Sequence, residues 1–79
     1  MVVECDAIIE AFKALGGTRT IAEIRGWIKR KYGDRWKDFG TRMADMVPLE
    51  LGGNPSSNVS EKFRVLRRVS RGRYRLSVS

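Results

Sequence analysis

The chain has 79 residues, 42% of them hydrophobic, so one domain with a modest core is expected over residues 1–79, because small domains bury a smaller share of their surface. It has no histidine and a single cysteine, Cys5, which removes the commonest general base, the commonest metal ligand and any internal disulfide. Sixteen Lys and Arg against nine Asp and Glu give a net charge of +7. No apolar run approaches the roughly 18 residues of a membrane span, and the basic start of a signal peptide is missing, so the expectation is a soluble cytoplasmic protein.

Along the chain, Ile8, Ile9, Ala11, Phe12 and Leu15 fall three and four apart, which predicts a first helix near residues 5–15, stopped by Gly16-Gly17. Cys5 sits beside this pattern and is expected to pack as a small hydrophobe. Thr20 and Glu23 have capping-box spacing and open a second helix over about 20–32, with Ile21, Ile24 and Ile28 as its buried stripe and Tyr32 extending it. Lys29, Arg30 and Lys31 complement its C-terminal dipole, and Gly33 ends it. Trp27 lies outside the isoleucine stripe and marks a candidate partner or dimer surface, with core packing as the alternative. Asp34 is a reasonable N-cap for a third helix over about 35–47, broken by Pro48. At 100° per residue Trp36, Phe39, Met43, Ala44, Met46 and Val47 are placed on its core arc, and Lys37, Asp38, Thr41, Arg42 and Asp45 on its exposed arc.

Residues 49–60 are rich in Gly, Ser, Asn and Pro and read as a loop. Two β-rich runs, KFRVLRRV and RYRLSV, then flank Ser70-Arg71-Gly72, which predicts a hairpin with glycine in the turn. In the second strand Tyr74, Leu76 and Val78 alternate with Arg73, Arg75 and Ser77, giving a buried and a solvated face. The first strand alternates less cleanly, and a bulge is expected near Leu66.

The charge is segregated. Residues 1–61 carry nine basic and nine acidic side chains, whereas the last eighteen hold Lys62, Arg64, Arg67, Arg68, Arg71, Arg73 and Arg75 with no acid. A single-sign cluster repels itself on folding and points to an anionic partner, nucleic acid first. The acids are scattered, and Gly52-Gly53 is followed by Asn54-Pro55-Ser56-Ser57 without the lysine of a phosphate-binding loop, so neither an enzyme nor a cofactor or metal site is expected.

Three helices followed by a two-stranded β-hairpin, in an α+β class, is the order of a winged helix-turn-helix domain, with Thr18–Thr20 a candidate for a short strand between the first two helices. The stretch EIRGWIKRKYGDRWK (Glu23–Lys37), the loop NPSS (Asn54–Ser57) and the ending RVSRGRYRL (Arg68–Leu76) resemble small archaeal winged-helix proteins and the winged-helix modules of some restriction-modification proteins. The similarity covers most of the chain and carries no catalytic motif. In such a fold the third helix would enter the major groove and the wing would lie along the backbone or a neighbouring minor groove. Lys37, Thr41 and Arg42 are then the base- or phosphate-reaching candidates, although Asp38 and Asp45 on the same arc would repel phosphates.

Arg64, Arg68, Arg71, Arg73 and Arg75 are the wing candidates, because guanidinium is a planar, bidentate phosphate donor. Charge that protects an edge strand, or adaptation to heat, accounts for an arginine-rich surface as well, but for neither reason need the acids be missing. Asn54, Ser56 and Ser57 carry the short polar groups that contact phosphate and sugar, and turn formation explains them equally. The expected partner is duplex DNA. The alternative is a protein-interaction module whose basic hairpin docks on an acidic partner, since fold alone does not fix function.

Overall fold

In the computed structural model, which describes residues 3–77, the three-and-four spacing of Ile8, Ala11, Phe12 and Leu15 builds α1 (Glu4–Leu15). Cys5, Ala7, Ile8, Ala11 and Phe12 are its buried residues, and burial pushes the Cys5 thiol pKa up, as suits a packing rather than a reactive role. A short strand, β1 (Arg19–Thr20), leads into α2 (Ile21–Tyr32). Here the capping box forms in full: the Glu23 N–H donates to Thr20 Oγ1 at 3.1 Å, and the Thr20 N–H donates to Glu23 Oε1 at 2.9 Å. Two side chains thereby satisfy groups that a helix start otherwise leaves open.

α2 is held to α1 at its far end, where the Tyr32 hydroxyl and the Lys31 ammonium both reach Glu10 Oε1, at 2.5 and 3.0 Å. Gly26 stands mid-helix, and a Cβ there would meet nothing within 4 Å. Gly26→Ala should therefore raise stability by about 0.5–1 kcal/mol, seen as a higher urea midpoint, because alanine loses less backbone entropy. A lower midpoint would contradict the open surroundings of this face.

The third helix is shorter than the apolar pattern predicts. α3 spans Phe39–Asp45 and is capped by Asp38, whose Oδ1 accepts from the Thr41 N–H at 3.2 Å, so Asp34 is not its cap. Residues 33–38 are non-helical, and within them Trp36 stands edge-on to Tyr32, with ring centroids 5.9 Å apart. Phe39 and Met43 are buried on one side, with Met46 and Val47 just past the helix end, whereas Ala44, expected in the core, is exposed.

After single 3-10 turns at Leu49–Leu51 and Glu61–Phe63 come β2 (Leu66–Ser70) and β3 (Arg73–Leu76). The sheet is antiparallel with order β1-β3-β2, so it has three strands, and the candidate strand between the first two helices becomes the edge partner of β3. β2 begins later than the β-rich run suggests, since Glu61–Phe63 coils before the strand starts. The register irregularity lies between Arg68 and Ser70 rather than near Leu66. Leu66 is fully buried, and Val69, left over at the bulge, is 51% exposed. Val78, expected on the buried face of the last strand, lies outside the described residues.

One apolar cluster joins the three helices to the sheet, with Ile8, Phe12, Ile24, Ile28, Met43, Met46 and Leu66 as its largest fully buried side chains. Each contributes roughly 1.5–3 kcal/mol by leaving water. Among the described residues no helix is long and apolar enough to cross a membrane.

Candidate nucleic-acid interface

The hairpin turn Arg71-Gly72 needs left-handed backbone at its second position, and Gly72 supplies it at φ 73°. Pairing from that turn places Ser70 opposite Arg73, Arg68 opposite Tyr74, Arg67 opposite Arg75 and Leu66 opposite Leu76. Side chains alternate along a strand, so Leu66, Tyr74 and Leu76 face the helices while Arg67, Arg73 and Arg75 share the outer face. Arg73 also faces Thr20 of β1, which leaves β3 as the central strand of that face.

Two backbone bonds fix the hairpin to the body: the Leu66 N–H donates to Met46 O at 3.0 Å and the Ile21 N–H to Gly72 O at 3.3 Å, while the Ser77 N–H, donating to Val65 O at 2.7 Å, extends the pairing within the hairpin. The arginines are therefore displayed on an anchored sheet rather than a loose arm.

Arg67 and Arg75 are directly opposed like charges, which is unfavourable in a sheet. Among the described residues Arg67, Arg68, Arg71, Arg73 and Arg75 form no ion pair; the ion pairs are Arg19–Glu23, Lys31–Glu10 and Arg42–Glu4. All five are exposed. Arg68 lies on the helix-facing row of β2, beyond the core, and borders a cleft of about 280 Å³ with Ala44 and Leu51, so it links the hairpin to the end of α3. Arg67→Glu should create an attractive pair with Arg75 and raise stability by a few tenths to about 1 kcal/mol, read as a higher thermal midpoint. A fall would contradict this register.

Arg67 is not singled out by reading along the chain, because the expected strand puts it with Phe63, Val65 and Val69. Counting back from the Gly72 turn is the signal that pairs it with Arg75.

Arg64 does not belong to the hairpin surface. It follows the 3-10 turn at Glu61–Phe63, and its guanidinium donates to Val47 O at 3.0 Å and to Asn54 O at 2.9 Å. These carbonyls lie in irregular chain after α3 and lack helical partners, so Arg64 satisfies them and ties the 47–54 segment down.

The α3 candidates are separated as well. Lys37 is exposed but precedes the helix. Arg42 is half-buried and turns toward α1, where its Nε donates to Glu4 Oε1 at 3.1 Å. The reason is phase: with Phe39 and Met43 facing the core, positions 42 and 45 fall on the flanks and only Thr41 and Ala44 point outward. Asp45 is accordingly taken up by the Asn54 amide at 3.3 Å. The exposed face of α3 is small and uncharged.

The loop candidates build turns. Asn54 Oδ1 accepts from the Ser56 N–H at 3.0 Å, and Ser57 Oγ accepts from the Val59 N–H at 3.2 Å. Comparison of the chain with protein-family models, with curated proteins and with solved structures finds no match.

Proposed function

We propose that the chain is a winged helix-turn-helix domain that binds duplex DNA without marked sequence preference, through the phosphate backbone, and that it is a binding protein rather than an enzyme. The observation that carries this reading is the set of five exposed hairpin arginines, Arg67, Arg68, Arg71, Arg73 and Arg75, displayed without an acidic partner among the described residues and in part directly opposed. Opposed guanidinium groups weaken the isolated fold, and an anionic backbone turns the same arrangement into an attractive one. The element order, with β1 joining the hairpin, supports the winged-helix reading.

Because α3 offers Thr41 and Ala44 rather than a row of polar side chains, its contribution is close approach to the duplex, with little base discrimination. Titration of a random-sequence duplex, followed by fluorescence anisotropy, tests the proposal. Binding at low salt with little dependence on sequence is expected, and failure to bind any duplex would sink it.

A second reading, docking on an acidic protein surface, draws on the same arginines and on the exposed Leu49 and Leu51, the latter lining the same cleft as Arg68. It predicts no binding to random duplex.

A further inference from the structure

The hairpin meets the end of α3 across a cleft of about 280 Å³, lined by Ala44, Val47, Leu51, Gly52, Arg68 and Tyr74. Its walls are apolar and no carboxylate lines it, so its polar chemistry rests on Arg68 and Tyr74.

The strand register brings these two together, because Arg68 stands directly opposite Tyr74 and both lie on the helix-facing row. Arg68 is exposed and forms no ion pair among the described residues, whereas Tyr74 is only 4% exposed and its ring belongs to the core. A buried tyrosine usually finds a partner for its hydroxyl. The Tyr32 hydroxyl has one in Glu10, but the Tyr74 hydroxyl has none among the described residues. Nor is it sealed in. Among those residues Glu4 Oε2 is the side-chain oxygen that is both enclosed and unpartnered, so the Tyr74 hydroxyl keeps an accessible face.

An open O–H donor beside an unpaired guanidinium suits an anion with several acceptor oxygens. The hairpin that carries Arg68 holds four further exposed arginines and no acid, which favours a polyanionic strand over an isolated anion. We infer that the cleft seats one phosphate of a nucleic-acid backbone, its oxygens accepting from the Tyr74 hydroxyl and the Arg68 guanidinium and its sugar lying against Ala44 and Leu51. The inference rests on the duplex-binding reading of the hairpin and adds to it a neutral donor that charge alone does not reveal.

Tyr74→Phe separates this seat from general attraction. The ring and its packing stay, and the lost hydroxyl has no partner in the free protein, so the thermal midpoint should not fall. Affinity for a random-sequence duplex should drop about tenfold with the salt slope unchanged, because a hydroxyl releases no counterion. Arg68→Ala should flatten the slope by about one unit, and the two changes together should cost less than the sum of their separate losses, since both groups hold one phosphate.

The protein has two tyrosines, so labelling them at Cζ gives two signals. In the unaltered protein the duplex should shift the Tyr74 signal saturably and leave Tyr32, already held by Glu10, in place. Inorganic phosphate shifting Tyr74 more tightly than the duplex would assign the cleft to a free phosphate, and hexaglutamate shifting it as tightly as the duplex would assign it to an acidic protein. Either result overturns the backbone seat. So does unchanged duplex affinity in a folded Tyr74→Phe variant, or a Tyr74 signal that stays still while the unaltered protein binds duplex; both leave the hairpin reading standing. Failure of the unaltered protein to bind any duplex defeats the hairpin reading and this seat with it.

Discussion

Replacing Gly53 with alanine should cost about 3 kcal/mol, a large share of the roughly 4–12 kcal/mol expected of a domain this size. The chain folds back tightly here: Pro48 O accepts from both the Leu51 and the Gly53 N–H, each at 2.9 Å. A Cβ on residue 53 would stand 1.9 Å from Val47 O, 2.8 Å from Val47 C and 2.9 Å from Pro48 O. These are backbone atoms and cannot rotate away. Val47 O is also the acceptor for Arg64, so the clash would loosen the contact that holds the 47–54 segment. Urea denaturation should show a much lower midpoint, with Gly26→Ala, whose Cβ meets open space, as the contrasting control. An unchanged midpoint in Gly53→Ala would contradict the close approach.

The second large effect is on binding. Changing Arg71 and Arg73 together to Ala should lower affinity for every duplex sequence alike, by about 10- to 100-fold near 0.1 M salt, because one to two phosphate contacts and their released counterions are lost. Both side chains are exposed, so the fold should survive. Arg64→Ala should behave in the opposite way. Two carbonyls lose their charged donor, stability falls by about 1–3 kcal/mol, and the salt dependence of the folded protein stays the same. If Arg64→Ala weakened binding as much as the double variant while remaining folded, the division between hairpin contacts and structural clamp would be wrong.

The parts of the fold written in local chemistry are legible in the sequence. The spacing of Ile24 and Ile28, the Thr20–Glu23 box and the glycine at position 72 each encode their element within a few residues. α3 is harder, because Asp34 and Asp38 are both acceptable caps. The structure uses Asp38, alongside contacts that the local pattern does not show, Trp36 edge-on to Tyr32 and Arg42 to Glu4, 38 residues away. The run around Phe63 has β-forming residues, yet a 3-10 turn and the Leu66 N–H bond to Met46 O set where the strand begins.

The candidate interface divides along the same line. The segregation of charge points at the hairpin, and Arg68, Arg71, Arg73 and Arg75 do stand exposed on it. Arg64 and Arg42 cannot be told from them by residue type. Their partners, Val47, Asn54 and Glu4, are 17, 10 and 38 positions away.

The most direct test of backbone binding by the hairpin is the affinity of the unaltered protein for a random-sequence duplex between roughly 50 and 300 mM salt, set beside that of the Arg71/Arg73 double variant. With about five phosphates neutralised, the slope of log K against log salt should be roughly −4 to −5, and the double variant should flatten it by about one to two units. The same slope and affinity in both proteins, with the fold intact, would contradict the hairpin as the main contact.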